Sequence, residues 1–159
     1  TPSGKVQIYS EAYAESGYSP VPSCRAAYPP ASYPLRLVSP KSRFRVHSMG
    51  WNIPFLRERE RHALWIHPSD AEARGITDGD EVDVSSPQGL LRIPAMVTED
   101  IALGVVCILE GIWPTFDADG VETSGAVNVL TSTVPTQPSQ GSRTHTVFVQ
   151  VDARKPART

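Results

Sequence analysis

Residues 65 to 98, WIHPSDAEARGITDGDEVDVSSPQGLLRIPAMVT, read as one supersecondary unit. Trp65-Ile66 ends a short apolar strand, and Pro68-Ser69-Asp70-Ala71-Glu72 opens a helix. Ser69 and Glu72 have capping-box spacing, in which the hydroxyl accepts from the third helical N–H and the carboxylate reaches back to the cap. Gly75 sits where the helix needs a left-handed residue to stop. Asp78-Gly79-Asp80 then turns the chain into Glu81-Val82-Asp83-Val84-Ser85, whose polar–apolar alternation is that of a half-buried strand. Pro87-Gln88-Gly89 makes the next turn, and Leu90 to Thr98 returns as a second strand. The pair is a β-hairpin.

Outward from this unit the chain keeps supplying short strands. Upstream, Tyr33 to Val38 is an apolar strand with Pro34 at its start, where a missing donor is tolerated. Lys5 to Tyr9 alternates as a shorter one. Downstream, Val105 to Leu109 and Thr144 to Val151 have strand patterns, and Gly125 to Ser132 reads as a compact strand or turn. The charged run Arg57-Glu58-Arg59-Glu60-Arg61 alternates in sign and predicts a solvated face at a short helix or its end. Residues 1–32 read as an opening strand and a Pro/Tyr-rich arm carrying Tyr9, Tyr13, Tyr18 and Tyr28, which packs on a neighbouring domain or on the barrel itself. Residues 33–151 are the β domain, and 152–159 a basic, frayed tail.

The totals narrow the functional classes. A chain of 159 residues has room for one core with extended arms. Its 15 prolines are roughly twice the average usage and gather in the arm and loops. A formal charge of −2 gives no reason to expect a nucleic-acid partner. No apolar run is long enough to cross a bilayer, so direct membrane insertion is not expected. The opening Thr1-Pro2-Ser3-Gly4, without Met, suggests a piece of a longer protein.

Two cysteines make neither a disulfide framework nor a metal site. Cys107, inside an apolar strand, reads as a small buried hydrophobe, and Cys24 lies in the arm. Asp117, Asp119 and Glu122 crowd one loop but lack the ligand count and terminal glutamate of an EF-hand.

Ser39 to Ser48, SPKSRFRVHS, places three cations, a histidine and hydroxyls at the end of a strand. Such a set suits an anionic, hydrogen-bonding ligand, or else a solvated basic loop. Asn128, among small and apolar neighbours, fits a turn cap or a ligand contact.

The order of these landmarks carries a resemblance. They are Thr1-Pro2-Ser3-Gly4-Lys5, the Arg45-x-His47-Ser48 segment, and W-I-x-P-x-D-A-x-x-R-G-I-x-D-G-D over 65–80. Glu110-Gly111-x-Trp113, Ala126-Val127-Asn128-Val129-Leu130-Thr131-Ser132 and G-x-x-T-H-T-V-x-V-Q-V over 141–151 follow. In that order they resemble the C-terminal, dinucleotide-binding domain of the dimethyl sulfoxide reductase family of molybdenum enzymes, in particular the catalytic subunits of its anaerobic members. The resemblance thins only in 11–32 and 115–124.

It implies a mainly β fold, a six-stranded double-psi β-barrel of the aspartate decarboxylase-like kind with short helices. The implied cofactor is molybdenum bis(molybdopterin guanine dinucleotide), contacted through its organic part. The implied cofactor-binding residues are Lys41, Arg45, His47, Ser48, Met49, Asn128, Thr144 and His145, with no catalytic residue and no metal ligand in this segment. At Lys41 relatives often carry an imidazole, and at Met49 Gln or Thr is commoner. Lys41 then suits a phosphate contact and Met49 a backbone one. The parent chemistry implied is oxygen-atom transfer or a related two-electron reaction such as S-oxide reduction. The metal ligand and any iron–sulfur cluster would lie elsewhere in the parent, because two lone cysteines cannot hold a cluster. The implied partners are the other domains of the same chain, with an iron–sulfur electron-transfer subunit and a membrane anchor subunit, on the periplasmic or cell-surface side.

Two other readings fit a barrel. One is a non-catalytic interaction module, which would show a partner surface and no affinity for a pterin. The other is an enzyme that cleaves itself at Gly141-Ser142 to make a pyruvoyl group.

Overall fold

The computed structural model describes all residues except Pro2, Pro22, 24–26, His145 and 155–159. Among the described residues the elements run α1 (Glu11–Glu15), β1 (Leu35–Val38), α2 (Pro54–Arg57), β2 (Leu64–Ile66), α3 (Pro68–Glu72), β3 (Glu81–Ser86), β4 (Gly89–Val97) and β5 (Val105–Cys107). A short 3-10 helix (Val127–Leu130) and β6 (Val147–Ala153) complete the order.

The six strands close on themselves in the spatial order β1-β5-β2-β4-β3-β6. β1 and β5 are parallel, as are β2 and β4, and the remaining neighbours are antiparallel. This is the six-stranded double-psi barrel implied above. Closure leaves no free sheet edge, so the short strands satisfy their backbone groups on both sides. Alternation does the rest. Leu35 and Leu37, Leu64 and Ile66, Val82 and Val84, Leu91, Ile93 and Ala95, Val106, and Val147, Val149 and Val151 all point into one buried cluster. Cys107 is buried beside it, and burial pushes its thiol up to about 11. At neutral pH it is a small hydrophobe and not a nucleophile. Cys24 lies outside the described residues.

Three details differ from the sequence expectations. Residues 5–9 form no strand and are exposed; an alternating strand needs a neighbour, and the barrel is closed without it. The chain instead enters α1, capped by Ser10, whose hydroxyl accepts from Tyr13 N. The second concerns α3, which starts at Pro68 with His67 as its cap, the imidazole Nδ1 accepting from Ser69 N at 3.2 Å. Pro68 is pre-shaped for the first helical position, which moves the start ahead of the Ser69 capping box. The helix then ends as expected, with Gly75 at φ 64° and Ile76 N–H donating to Ala71 O at 2.9 Å. Third, β6 begins at Val147 and runs to Ala153, later at both ends than 144–151. Its last residues pair with β3, Val82 facing Ala153.

Strand register decides which loops meet. Val38 faces Cys107 in the parallel β1–β5 pair, so both strands end at one rim. β6 starts there, because Leu37 faces Val147. β2 also starts there, because Trp65 faces Cys107. The β3–β4 turn lies there too, since Ser85 faces Gln150 near the start of β6. Segments 39–63, 87–88 and 108–113, with Thr144 and Thr146, therefore share one rim, while α3 and Gly104 lie at the other.

Candidate functional site

Arg45 anchors the rim. Its side chain is only 2% exposed, and its guanidinium Nη1 lies 2.5 Å from Glu60 Oε2, itself from an 8% exposed side chain. Nη2 donates to Glu110 O at 3.0 Å, and the guanidinium carbon lies 5.2 Å from the Trp51 ring centroid. Ser42 Oγ donates to the same Glu60 oxygen at 3.0 Å. The run 57–61 is thus not wholly solvated. Glu60 turns inward because Arg45 is buried and needs a counter-charge.

The chain then makes a tight reversal. Met49 N donates to Val46 O at 3.0 Å and Val46 N to Met49 O at 3.3 Å, leaving His47 and Ser48 at the tip. His47 takes φ 52°, the left-handed conformation that such two-residue turns demand. Its imidazole is exposed, with Nδ1 3.1 Å from Glu110 Oε1. That carboxylate oxygen is buried and has no hydrogen bond of normal geometry, so the contact is a close approach off the hydrogen-bond line. Trp113 Nε1 donates to Ser48 O at 3.2 Å.

Behind this turn stands Glu122, fully buried. Its Oε1 accepts from Thr115 N at 3.1 Å and Ser124 N at 2.8 Å. Its Oε2 accepts from Gly125 N at 2.8 Å and Ala126 N at 2.9 Å. The Ser124 hydroxyl touches Oε1 and also lies 2.7 Å from Trp113 O, so its single proton is shared between them. Burial by itself raises the pKa of this carboxyl, but the bonds from Ser124, Thr115 and Ala126 outweigh it and hold the group below its ordinary range. Glu122 is a structural carboxylate in a nest of N–H groups.

His62 fills the space between the two clusters. Its ring meets Trp51 edge-on, centroids 5.8 Å apart. Both ring nitrogens are buried without a hydrogen-bond partner; the Gly125 backbone is near enough to favour the charged form but is not aligned to bond it. Burial first, then Arg45, depress its pKa against the smaller pull of Gly125, Glu60 and Glu122. The folded protein therefore holds His62 neutral while the unfolded chain binds a proton below about 6.5. Its contribution to stability is present above that pH and lost as the pH falls toward the lower folded value. Between pH 7 and 5 the stability of the wild-type chain minus that of His62→Gln is expected to fall, by at most about 1.4 kcal/mol per pH unit. Paired urea titrations measure it, and a flat difference would rule it out.

Of the residues implied by the resemblance, Lys41, His47, Ser48 and Met49 are exposed on the rim, with Met49 66% exposed. Arg45 faces inward, its terminal nitrogens engaged with Glu60 and Glu110. Asn128 is exposed on the 3-10 helix, its carbonyl accepting from Thr131 N at 3.2 Å and from Thr131 Oγ1 at 2.9 Å. That helix is held to the hairpin at the same rim, Ser86 Oγ donating to Leu130 O at 3.0 Å. Thr144 is half-buried just before β6, and His145 lies outside the described residues. Strand register brings these positions to one rim, but in two patches. Residues 41–49 lie against 110–113, and Asn128 and Thr144 lie nearer the hairpin turn.

Glu60, His62, Glu110, Gly111, Trp113 and Glu122 were not among the sequence candidates. For Glu122 the available signal is the following run Thr-Ser-Gly-Ala, small residues whose N–H groups can close round a carboxylate. Nothing in the sequence pairs Glu60 with Arg45.

A chemical test of fit is available on the rim itself. The Glu110 side chain is 29% exposed beside His47, and a carboxylate there suits a heterocyclic N–H. The exposed cations Lys41 and Arg43 suit phosphates. An elongated ligand with a polar ring system and a pyrophosphate fits this donor set.

Comparison with known proteins agrees. A family model described as "Molydopterin dinucleotide binding domain" matches residues 35–148. Dimethyl sulfoxide reductase DmsA of Escherichia coli (strain K12) is 36% identical over 168 residues, covering 96% of this chain and 21% of that protein. Trimethylamine-N-oxide reductase of Haemophilus influenzae is 35% identical over 170 residues, with 96% and 20% covered. The dimethyl sulfoxide/trimethylamine N-oxide reductase of Rhodobacter capsulatus is 33% identical over 171 residues, with 96% and 20% covered. The chain thus spans about a fifth of the length of these curated relatives. Among solved structures, acetylene hydratase from Pelobacter acetylenicus superposes with a TM-score of 0.79 at 22% identity, covering 97% of this chain and 24% of that one. At that identity the likeness is one of fold.

Proposed function

The chain belongs to the molybdopterin dinucleotide-binding domain family of the dimethyl sulfoxide reductase class, and from that premise we propose that its rim 39–49/108–113 holds the organic part of a molybdenum bis(molybdopterin guanine dinucleotide). The observation that supports this is the meeting of exposed Lys41, His47 and Ser48 with the partly exposed carboxylate of Glu110 at one end of the barrel.

His47 and Ser48 present polar side chains at the tip of the turn, and Glu110 offers an acceptor. Lys41, with Arg43 nearby, offers positive charge to a phosphate, and Met49 contributes through its backbone. Asn128 and Thr144 extend the same rim toward the hairpin turn, with His145 next in sequence. Arg45 acts one step back, holding the turn in place. When bound, the molybdenum group supplies oxygen-atom transfer or a related two-electron reaction; these residues bind and orient it and shield it from water. S-oxide or N-oxide reduction by the parent is the corresponding proposal for the whole protein, supported by the names of the reductases above. Residues 1–32 touch the β domain where Arg36 Nη2 donates to Ala27 O at 2.9 Å and Tyr18 OH to Gln137 Oε1 at 3.3 Å, and the exposed remainder of the arm is proposed to pack on another domain of the parent. An iron–sulfur subunit and a membrane anchor subunit are proposed as its partners.

The test uses the full-length parent carrying Lys41→Ala or His47→Ala. Each loses one charge-assisted or polar contact, so cofactor affinity is expected to drop about tenfold. Molybdopterin content after extensive dialysis reads the loss directly. Wild-type retention in both variants would remove the rim from consideration. The interaction-module reading has no observation in its favour.

A further inference from the structure

We infer that Gly111 and Trp113 are positioning residues that template the Val46–Met49 turn, and with it the ligand-facing geometry of His47 and Ser48. The inference rests on the proposal that this turn contacts the cofactor, and extends it to two residues that need not touch the cofactor.

The turn holds a histidine at φ 52°, a conformation that L side chains rarely adopt unless surroundings enforce it. The surroundings here are a single short segment. A Cβ on Gly111 would stand 2.1 Å from His47 O, 2.5 Å from His47 C and 3.1 Å from His47 Cα. All three are backbone atoms, so no side-chain rotation relieves the overlap. Gly111 is itself at φ 91°, so two left-handed residues pack back to back. Two positions on, Trp113 donates from Nε1 to Ser48 O at 3.2 Å. Residues 45, 47 and 48 are therefore each gripped by residues 110, 111 and 113.

Trp113 has little other structural reason to be a tryptophan. It is 53% exposed and contributes nothing to the buried core cluster. Its carbonyl lies against the Ser124 hydroxyl, which also touches Glu122. The turn is thus referred, through Trp113 and Ser124, to the most deeply buried carboxylate of the domain. A tip mounted this way presents ligand contacts without first paying their ordering entropy.

The experiment compares Gly111→Ala, Trp113→Phe and Gly104→Ala in the full-length parent. Gly104 is a matched control: it has φ 77°, and a Cβ there would meet no atom within 4 Å, so alanine brings backbone strain without contact. Trp113→Phe removes one N–H from an exposed ring and remains informative should Gly111→Ala fail to fold. Hydrogen exchange of the peptide spanning 45–50 in apo-protein reports the turn, and molybdopterin content reports binding. Gly111→Ala is expected to cut retained cofactor about tenfold and Trp113→Phe about threefold, the scale of one or two lost contacts. Exchange at 46–49 should rise in both, whereas Gly104→Ala should lower the melting temperature and change neither. Unaltered exchange in Trp113→Phe, with or without a folded Gly111→Ala, overturns the templating inference. Faster exchange with full cofactor content overturns instead the reading of the turn as a cofactor contact.

Discussion

Glu122→Ala is expected to lower the stability of the domain by about 3–5 kcal/mol, the scale of losing several charge-assisted hydrogen bonds and leaving buried donors without an acceptor. Four backbone N–H groups, from Thr115, Ser124, Gly125 and Ala126, converge on its two oxygens. Alanine strands the buried Gly125 and Ala126 N–H groups, at about 1–3 kcal/mol for each group left unsatisfied, while the part-buried Thr115 and Ser124 N–H groups lose a charge-assisted acceptor. The main-chain carbonyl of residue 122 accepts from Arg92 N of β4 at 2.8 Å, a bond that alanine keeps, so the loss reports the carboxylate alone. In a chain of this length the melting temperature should fall by roughly 10 °C. Glu122→Gln should recover only part of the loss, because its NH2 end meets N–H donors instead of accepting from them. The pH dependence has a definite sign. A carboxyl whose folded pKa is depressed stabilises above its unfolded pKa, about 4.5, and that contribution is lost as pH falls through the folded value. Thermal unfolding of Glu122→Gln from pH 7 to 3 should therefore converge on wild type at the acid end. A gap that stays constant with pH would mean the carboxylate charge is not what the nest binds.

Arg45→Ala should cost a similar amount for a different reason. It leaves Glu60 with an 8% exposed side chain and no counter-charge, and breaking a buried pair from one side costs about 3–5 kcal/mol. It also frees the Glu110 carbonyl and removes the cation from the face of Trp51. Replacing the pair together, Arg45→Met with Glu60→Leu, should restore most of the stability, since no buried charge is then stranded. A double-mutant cycle by urea unfolding measures this, with a coupling above about 1.5 kcal/mol expected for residues in one network. Additive losses would show that the pair is solvated. Because Arg45 holds segment 39–49, the single variant should also release molybdopterin from the parent protein, whereas Glu122→Ala should do so only through Trp113 and Ser124.

These two residues also mark where the sequence stops being legible. Glu122 sits in an acidic loop that resembles an incomplete cation site, and its role appears only when the loop folds its N–H groups inward. Glu60 lies in a run whose alternating signs describe a solvated face. That is true of Glu58, which is exposed, but fails two residues later, where Arg45 from fifteen residues upstream claims Glu60. His67 marks a smaller local difference. The helix opens at Pro68 as the sequence indicates, but its cap is the His67 imidazole instead of the Ser69 hydroxyl, because Pro68 takes the first helical position.

By itself the sequence determined the strands of the barrel, the α3–hairpin unit, the small buried thiol and the family, because each rests on local periodicity, turn chemistry or motif order. It also contained the polar residues of the rim, from Lys41 to Met49, with Asn128 and Thr144. Only the tertiary structure decided which of them face outward. Strand register carried segments far apart in sequence to one end of the barrel, where Arg45 was turned inward to Glu60 and Glu110 and His47 was pressed into a left-handed turn against Gly111. Those pairings depend on long-range contacts and on the burial of charge, neither of which leaves a period in the chain.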